Sequence, residues 1–301
     1  MERKSMLTQK PKFRLNELII ENIIRMFTIA TILITGMIIF TLLSESATFF
    51  SHVTLNQFLL DGTWLPLFNP GRFGIWPLVV GTMSIAFYSM LVAIPLGLGS
   101  AVYLSEYAPK SVRAVLKPIL EILAGIPSIV YGYFALNYIT PMLRVLNPST
   151  EIYNILSASI AVGMMILPLV ASLSEDAMNA VPVGMRNGAF ALGSTKLEVT
   201  RSIVIPAAKS GIISSFILAI SRAVGETMIV AIAAGSKPMM TFNPFKSVQT
   251  MTGYMVATST GELGVGSVQY QSIYAVGIIL FIMTLLLNLF ARQFVTKRRR
   301  R

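Results

Sequence analysis

Two charged residues interrupt an otherwise apolar stretch. In ILAISRAVGETMIVAIAAG, residues 217–235, Arg222 and Glu226 stand four positions apart. A charged side chain at the centre of a membrane-spanning helix carries an insertion cost of about 2.5–3.5 kcal/mol. At i, i+4 on one helix the two side chains share a face and can touch. An arginine stays protonated, and its planar fork matches two oxygens of an oxyanion at once. One reading is therefore an anion path lined by Arg222, with Glu226 holding the guanidinium while the path is empty. The other is an ion pair that locks the helix to a neighbour and never meets a ligand. Ser128 and Tyr131, in GIPSIVYG at 125–132, could add neutral donors beside an interrupted helix. Serine packing at a helix interface is the alternative there.

The elements that must carry these residues are membrane spans. Of 301 residues, 54% are hydrophobic and 12% charged, with a mean hydropathy of +0.70; soluble domains average about 25% charged residues. Six apolar runs stand out, at about 23–43, 74–104, 119–140, 152–173, 209–235 and 272–291. The first is too long for the apolar core of a signal peptide and is expected to remain a span. The chain divides into a basic tail at 1–22, a first span and outer loop at 23–73, a transmembrane core at 74–291 and a basic tail at 292–301. Lysine and arginine number six up to Arg25, three in 105–118, four in 174–209 and six from Arg292, against four on the other side: Arg72, Arg144, Lys237 and Lys246. That bias predicts both termini in the cytoplasm of a cell-membrane protein. It also explains the net charge of +11 through anionic lipid rather than nucleic acid.

Cysteine is absent, which excludes disulfides and thiol chemistry, and the one histidine, His52, is expected in a loop. One histidine does not make a histidine metal site. Prolines interrupt several spans, at IPLGLGS (94–100), GIPSIVYG and Pro168. Such breaks are tolerated where protein or a water-filled cavity satisfies the backbone, so kinked helices around a pathway and simple packing kinks both fit. Glu121, four residues after Lys117, falls near the inner end of the third span. No inverted repeat is evident, which weakens a secondary-transporter reading.

The loop between the fourth and fifth runs, 174–206, reads SEDAMNAVPVGMRNGAFALGSTKLEVTRSIVIP. Ser174 with Glu175 and Asp176 predicts a helix start. Pro182 suits the first turn of a second helix and Gly193 its left-handed termination. Thr195 with Glu198 predicts a capping box for a third. Met185, Ala189 and Leu192 fall on one face of the middle helix. A cytoplasmic helix–turn–helix with an apolar face calls for a partner groove.

Here the chain resembles a known family. Ala189, Gly193, nine residues and then Ile203-Val204-Ile205-Pro206 is similar to the cytoplasmic coupling motif of ABC importer permeases. Asn187-Gly188-Ala189 stands where that family has Glu-Ala-Ala, so an ionic contact from the missing acid is not carried over. The segments YLSEYAPKSVRAVLKPILEILAGIPSIVYGYFAL (103–136) and SRAVGETMIVAIAAG (221–235) resemble the phosphate importer permeases, and within them the PstC type. The resemblance implies an all-α integral membrane protein with the type I ABC importer permease fold: six transmembrane helices and a cytoplasmic coupling helix–turn–helix. It implies that Met185, Asn187, Gly188, Ala189, Leu192, Gly193, Ile203 and Pro206 dock on an ATPase. It also implies a second homologous permease, two ATPase subunits, an external phosphate-binding protein, and a role for Arg222 and Glu226 in translocation. Glu226 could then accept a hydrogen bond from monohydrogen phosphate, a donor that sulfate lacks. The chain has no Gly-x-x-x-x-Gly-Lys-Ser/Thr loop. It is therefore expected to be no enzyme and to carry no cofactor, with ATP and magnesium bound by the partner subunits. A permease for molybdate, sulfate or tungstate, and an ion-coupled carrier, remain the alternatives.

Overall fold

The computed structural model describes residues 11–299 apart from 262, 263 and 265, with side chains over 17–290. Arg3, Lys4 and Lys10 lie outside the described residues. So do the side chains of Lys12, Arg14 and the basic residues from Arg292 onward. The first run extends into helix α1, Pro11–His52. The expected tail is thus helical from Pro11, and His52 closes this helix instead of standing in a loop. Between the first two spans lie α2 (Leu55–Leu60) and two short antiparallel strands, β1 (Trp64–Leu65) and β2 (Arg72–Phe73).

Helix α3 (Trp76–Val102) runs into a π-helical turn at Tyr103–Tyr107. The third span is broken. Helix α4 (Lys110–Gly125) and the segment Ser128–Leu146 meet at 89°. That segment holds α5 (Ser128–Phe134), a π-helical turn and α6 (Thr140–Leu146). Pro127 lacks an amide donor and disfavours helix at the residue before it, whereas Pro95 and Pro168 lie inside continuous helices. Helix α7 (Ile155–Asn179) starts at Asn154, whose side chain accepts the Ser157 amide at 2.8 Å. It is followed by α8 (Val183–Ala191), α9 (Lys196–Val199) and α10 (Ile205–Val224). Then come α11 (Met228–Ala233), α12 (Met251–Ser259) and α13 (Val268–Arg299). Among the described residues five continuous helices are long and apolar enough to span a membrane, and the bent third span makes a sixth.

Two predictions about the boundaries change. Ser174, Glu175 and Asp176 do not start a helix; they lie inside α7, which continues to Asn179. The fifth run is not one helix either. It stops at Val224 and resumes at Met228.

Helices α3 and α7 form the centre of the bundle. Their backbones approach closely because a glycine on each faces a valine on the other: a Cβ on Gly97 would lie 2.8 Å from Val170, and one on Gly163 would lie 2.9 Å from Val92. Small residues at such crossings allow the close packing that substitutes for a hydrophobic driving force in lipid. Ser174 and Ser215 join α7 to α10 through a hydroxyl pair at 2.8 Å. At the end remote from α8, here termed distal, Phe49, Phe58, Trp64, Phe73 and Tyr254 pack edge to face. Glu151 ties the distal loops together. It accepts the Ser247 amide at 2.9 Å and faces Lys246 at 3.4 Å and Lys237 at 3.5 Å.

Candidate anion path and helix–turn–helix

Arg222 lies in the last turn of α10, two residues before the helix stops. Gly225, the poorest helix former after proline, follows Val224, and its amide reaches back to the Ser221 carbonyl at 3.3 Å. Glu226 therefore does not continue the helical face. Its Oε1 accepts the Ile229 amide at 3.2 Å and so caps the first turn of α11. Its carbonyl accepts the Thr252 hydroxyl at 2.6 Å. Among the described residues no ion pair joins Arg222 and Glu226, so the i, i+4 contact expected of a continuous helix does not form.

Arg222 instead faces a cavity of about 210 Å³ between α4, α7 and α10, lined also by Lys117, Glu121, Met165, Pro168, Ser172 and Glu175. Glu175 is 1% exposed, yet its charge is matched: Arg113 holds it, and Lys117 sits 3.7 Å from it and 3.6 Å from Asp176. Lys110, Arg113 and Lys117 repeat at i, i+3, i+7, which turns one face of α4 toward α7. Glu175 is held by Arg113 and Lys117, and Glu121 also stands on the wall, so Arg222 is the cation of this lining with no carboxylate partner among the described residues. Ser128 and Tyr131 do not line this cavity. Ser128 opens α5, and the Tyr131 hydroxyl donates to the Leu123 carbonyl at 2.9 Å across the break in the third span.

The helix–turn–helix forms as its local signals predict. Pro182 caps α8, and Gly193 adopts φ +85° just beyond it. Thr195 and Glu198 make both halves of a capping box on α9. Of the predicted apolar face, Met185 is 48% and Leu192 88% exposed, while Ala189 turns inward against the cluster of Met178, Val181 and Val204. Gly188 has open space around it, Asn187 is exposed, Ile203 packs on that same cluster, and Pro206 stands in the first turn of α10. Arg186 points the other way. Its guanidinium donates to the carbonyls of Met178 at 2.7 Å and Val181 at 3.0 Å, and to Glu106 at 3.1 Å.

Comparison with known proteins settles the family. Residues 93–300 match the binding-protein-dependent transport system inner membrane component. The chain belongs to that family. The permease is 31% identical over 243 residues to a probable ABC transporter permease of Bacillus subtilis, covering 81% of this chain and 78% of the relative. It is 31% identical over 262 residues to the phosphate transport system permease protein PstC of Mesorhizobium japonicum, at 80% and 78% coverage. The Pasteurella multocida protein of the same name aligns at 29% identity over 92% of both chains. Among solved structures, a bacterial alginate ABC importer gives a TM-score of 0.62 at 12% identity, covering 93% of this chain and 99% of that one. The MetNI methionine transporter in an inward-facing conformation gives 0.54 at 18% identity, with 74% and 94% coverage. The permease is thus a multi-pass membrane protein with the type I ABC importer permease fold.

Sequence reasoning did not find Arg113, Lys117, Glu175, Glu106 and Arg186 as one constellation. The i, i+3, i+7 cations of α4 were a legible signal. Their carboxylate partner lies some 60 residues further along the chain, and no local pattern links the two.

Proposed function

We propose that this chain is the permease subunit of an ATP-driven phosphate importer, in which Arg222 contacts the translocating anion. The observation that carries this reading is an arginine aimed into a cavity between three spans, in a chain whose relatives are named phosphate transport permeases. Bidentate guanidinium recognition suits a phosphate oxygen pair. The exposed face of α8 and α9, with Met185 and Leu192, docks on an ATPase subunit by the helix-in-groove mode. This places α8 and both termini in the cytoplasm and the Glu151 loops outside, in a complex with a second homologous permease, two ATPase subunits and an external phosphate-binding protein. ATP and magnesium bind to the ATPase subunits. A small cavity in which Arg222 and Lys117 share the wall with Glu121 and Glu175 binds an anion weakly, as passage requires, and leaves affinity to the external receptor.

Uptake by the complex reconstituted in vesicles tests the reading. Labelled phosphate should accumulate only with ATP and the binding protein present, and excess sulfate, molybdate or tungstate should not compete. Competition by one of these names the true oxyanion, and accumulation by the permease alone without ATP identifies an ion-coupled carrier.

A further inference from the structure

Between the helix–turn–helix and the Arg222 cavity runs an unbroken line of polar side chains. It begins at Arg186 on α8, which binds Glu106 at 3.1 Å on the π-helical turn ending the second span. The Ser105 hydroxyl lies 2.8 Å from that same Glu106 oxygen and 3.2 Å from Asn179 Oδ1 at the end of α7. Asn179 Nδ2 donates to Glu175 at 3.3 Å. Glu175, held by Arg113 and Lys117 of α4, lines the cavity with Arg222. The Arg186–Glu106, Ser105–Asn179 and Glu175–Arg113 contacts cross between elements, while Ser105–Glu106 lies within the π-helical turn and Asn179–Glu175 within the last turn of α7, so the line touches α8, the turn after α3, α7, α4 and the cavity wall in order.

The charged members are largely shielded: Arg186 is 16%, Glu106 9% and Glu175 1% exposed at the side chain. Buried ion pairs add little net stability over apolar packing of the same shape, while breaking one is costly. What they supply is a defined arrangement. Apolar contacts in the surrounding cluster slide, whereas directional hydrogen bonds exist in discrete states. Ser105 provides such a choice, because its single hydroxyl proton faces two acceptors, the Glu106 carboxylate and the Asn179 carbonyl. A shift of α8 that draws Glu106 away with Arg186 frees that proton for Asn179. The change then reaches Glu175 and the grip of Lys117 on it.

We propose that Arg186, Glu106, Ser105, Asn179 and Glu175 form the link by which movement of the ATPase-docking helix resets the charges around Arg222. They act as positioning residues. The proposal rests on the importer reading above, and coupling of this kind requires an element with two states that both sites bias.

The experiment uses the full complex and exploits the absence of cysteine from this chain. Ser172→Cys places one thiol in the cavity wall, and its rate of alkylation is read with and without MgATP. The expected result is a nucleotide-dependent change in the otherwise unaltered chain that shrinks on the order of 5-fold or more with Asn179→Ala or Ser105→Ala. Co-purified ATPase subunits should stay at the level of the unaltered complex, and phosphate uptake per ATP, read for Asn179→Ala and Ser105→Ala without the added cysteine, should fall in step. An equal nucleotide-dependent change in both variants overturns the link, as does a cavity thiol that never responds to MgATP. Should Asn179→Ala fail to assemble, Ser105→Ala, which removes a single oxygen, decides. A thiol that responds, when the complex of the unaltered chain takes up no phosphate, overturns the phosphate reading and leaves the link standing.

Discussion

Arg222 differs from Arg113 and Arg186 at the α8 end of the bundle. Arg113 and Arg186 each grip a buried carboxylate, whereas Arg222 looks into a cavity and pairs with no acid among the described residues. Arg222→Ala is expected to abolish phosphate uptake while the ATPase subunits still co-purify and hydrolyse ATP; uptake at the original rate would refute its contact with the anion. Glu226 has a separate task. Glu226→Gln keeps an acceptor for the Ile229 amide, so phosphate-over-sulfate preference is expected to stay unchanged. Both charges were visible in the sequence as interruptions of an apolar run. Their separation into different elements was not, because the break after Val224 is held by Thr252, 26 residues further on.

The helix–turn–helix was the most legible element, since its signals are local. Capping by Thr195 and Glu198, and the left-handed Gly193, follow from residues within four positions of one another. A side chain at φ +85° is strained by roughly 1–2 kcal/mol. Gly193→Ala is therefore expected to loosen the turn and reduce the ATPase recovered with the permease. Gly184→Ala, in the first turn of α8 with open space around it, should raise helix stability by up to about 1 kcal/mol and leave that recovery intact. Equal losses for both would mean that the turn's backbone conformation is irrelevant to docking. The end of α7 next to α8 departs from its sequence pattern for the opposite reason. Ser174-Glu175-Asp176 has the composition of a helix start, yet Arg113 and Lys117 from α4 neutralise its acids and Ser215 from α10 bonds its serine, so the helix runs on.

For the molecule as a whole, six spans could be read from patterning alone. The 89° bend could not: GIPSIVYG announced a break but carries no measure of its angle. The distal face is fastened by Glu151, whose carboxyl is held below its ordinary value of 4.5, first by the Ser247 amide and further by Lys246 and Lys237. A depressed carboxyl stabilises the fold above its unfolded value, and that contribution disappears as pH falls through the folded value. Hydrogen exchange at the Ser247 amide is thus expected to be slow from pH 7 down to about 4.5 after allowance for the intrinsic rate, and to speed up below it. Glu151→Gln should accelerate it at pH 7.

The aromatic packing at the distal end also makes the protein its own optical probe. The chain has two tryptophans. Trp64 is 1% exposed against Tyr254, and Trp76 is 46% exposed with its indole bonded to the Leu59 carbonyl. Both stand at one mouth of the bundle, so all indole emission originates from that face. Trp64 also borders a cavity of about 440 Å³ shared with Ser236, Pro238 and Gln249. Any event that lifts the 236–250 loop lets water reach a dry indole and moves its emission to longer wavelength, while changes confined to the α8 end stay dark.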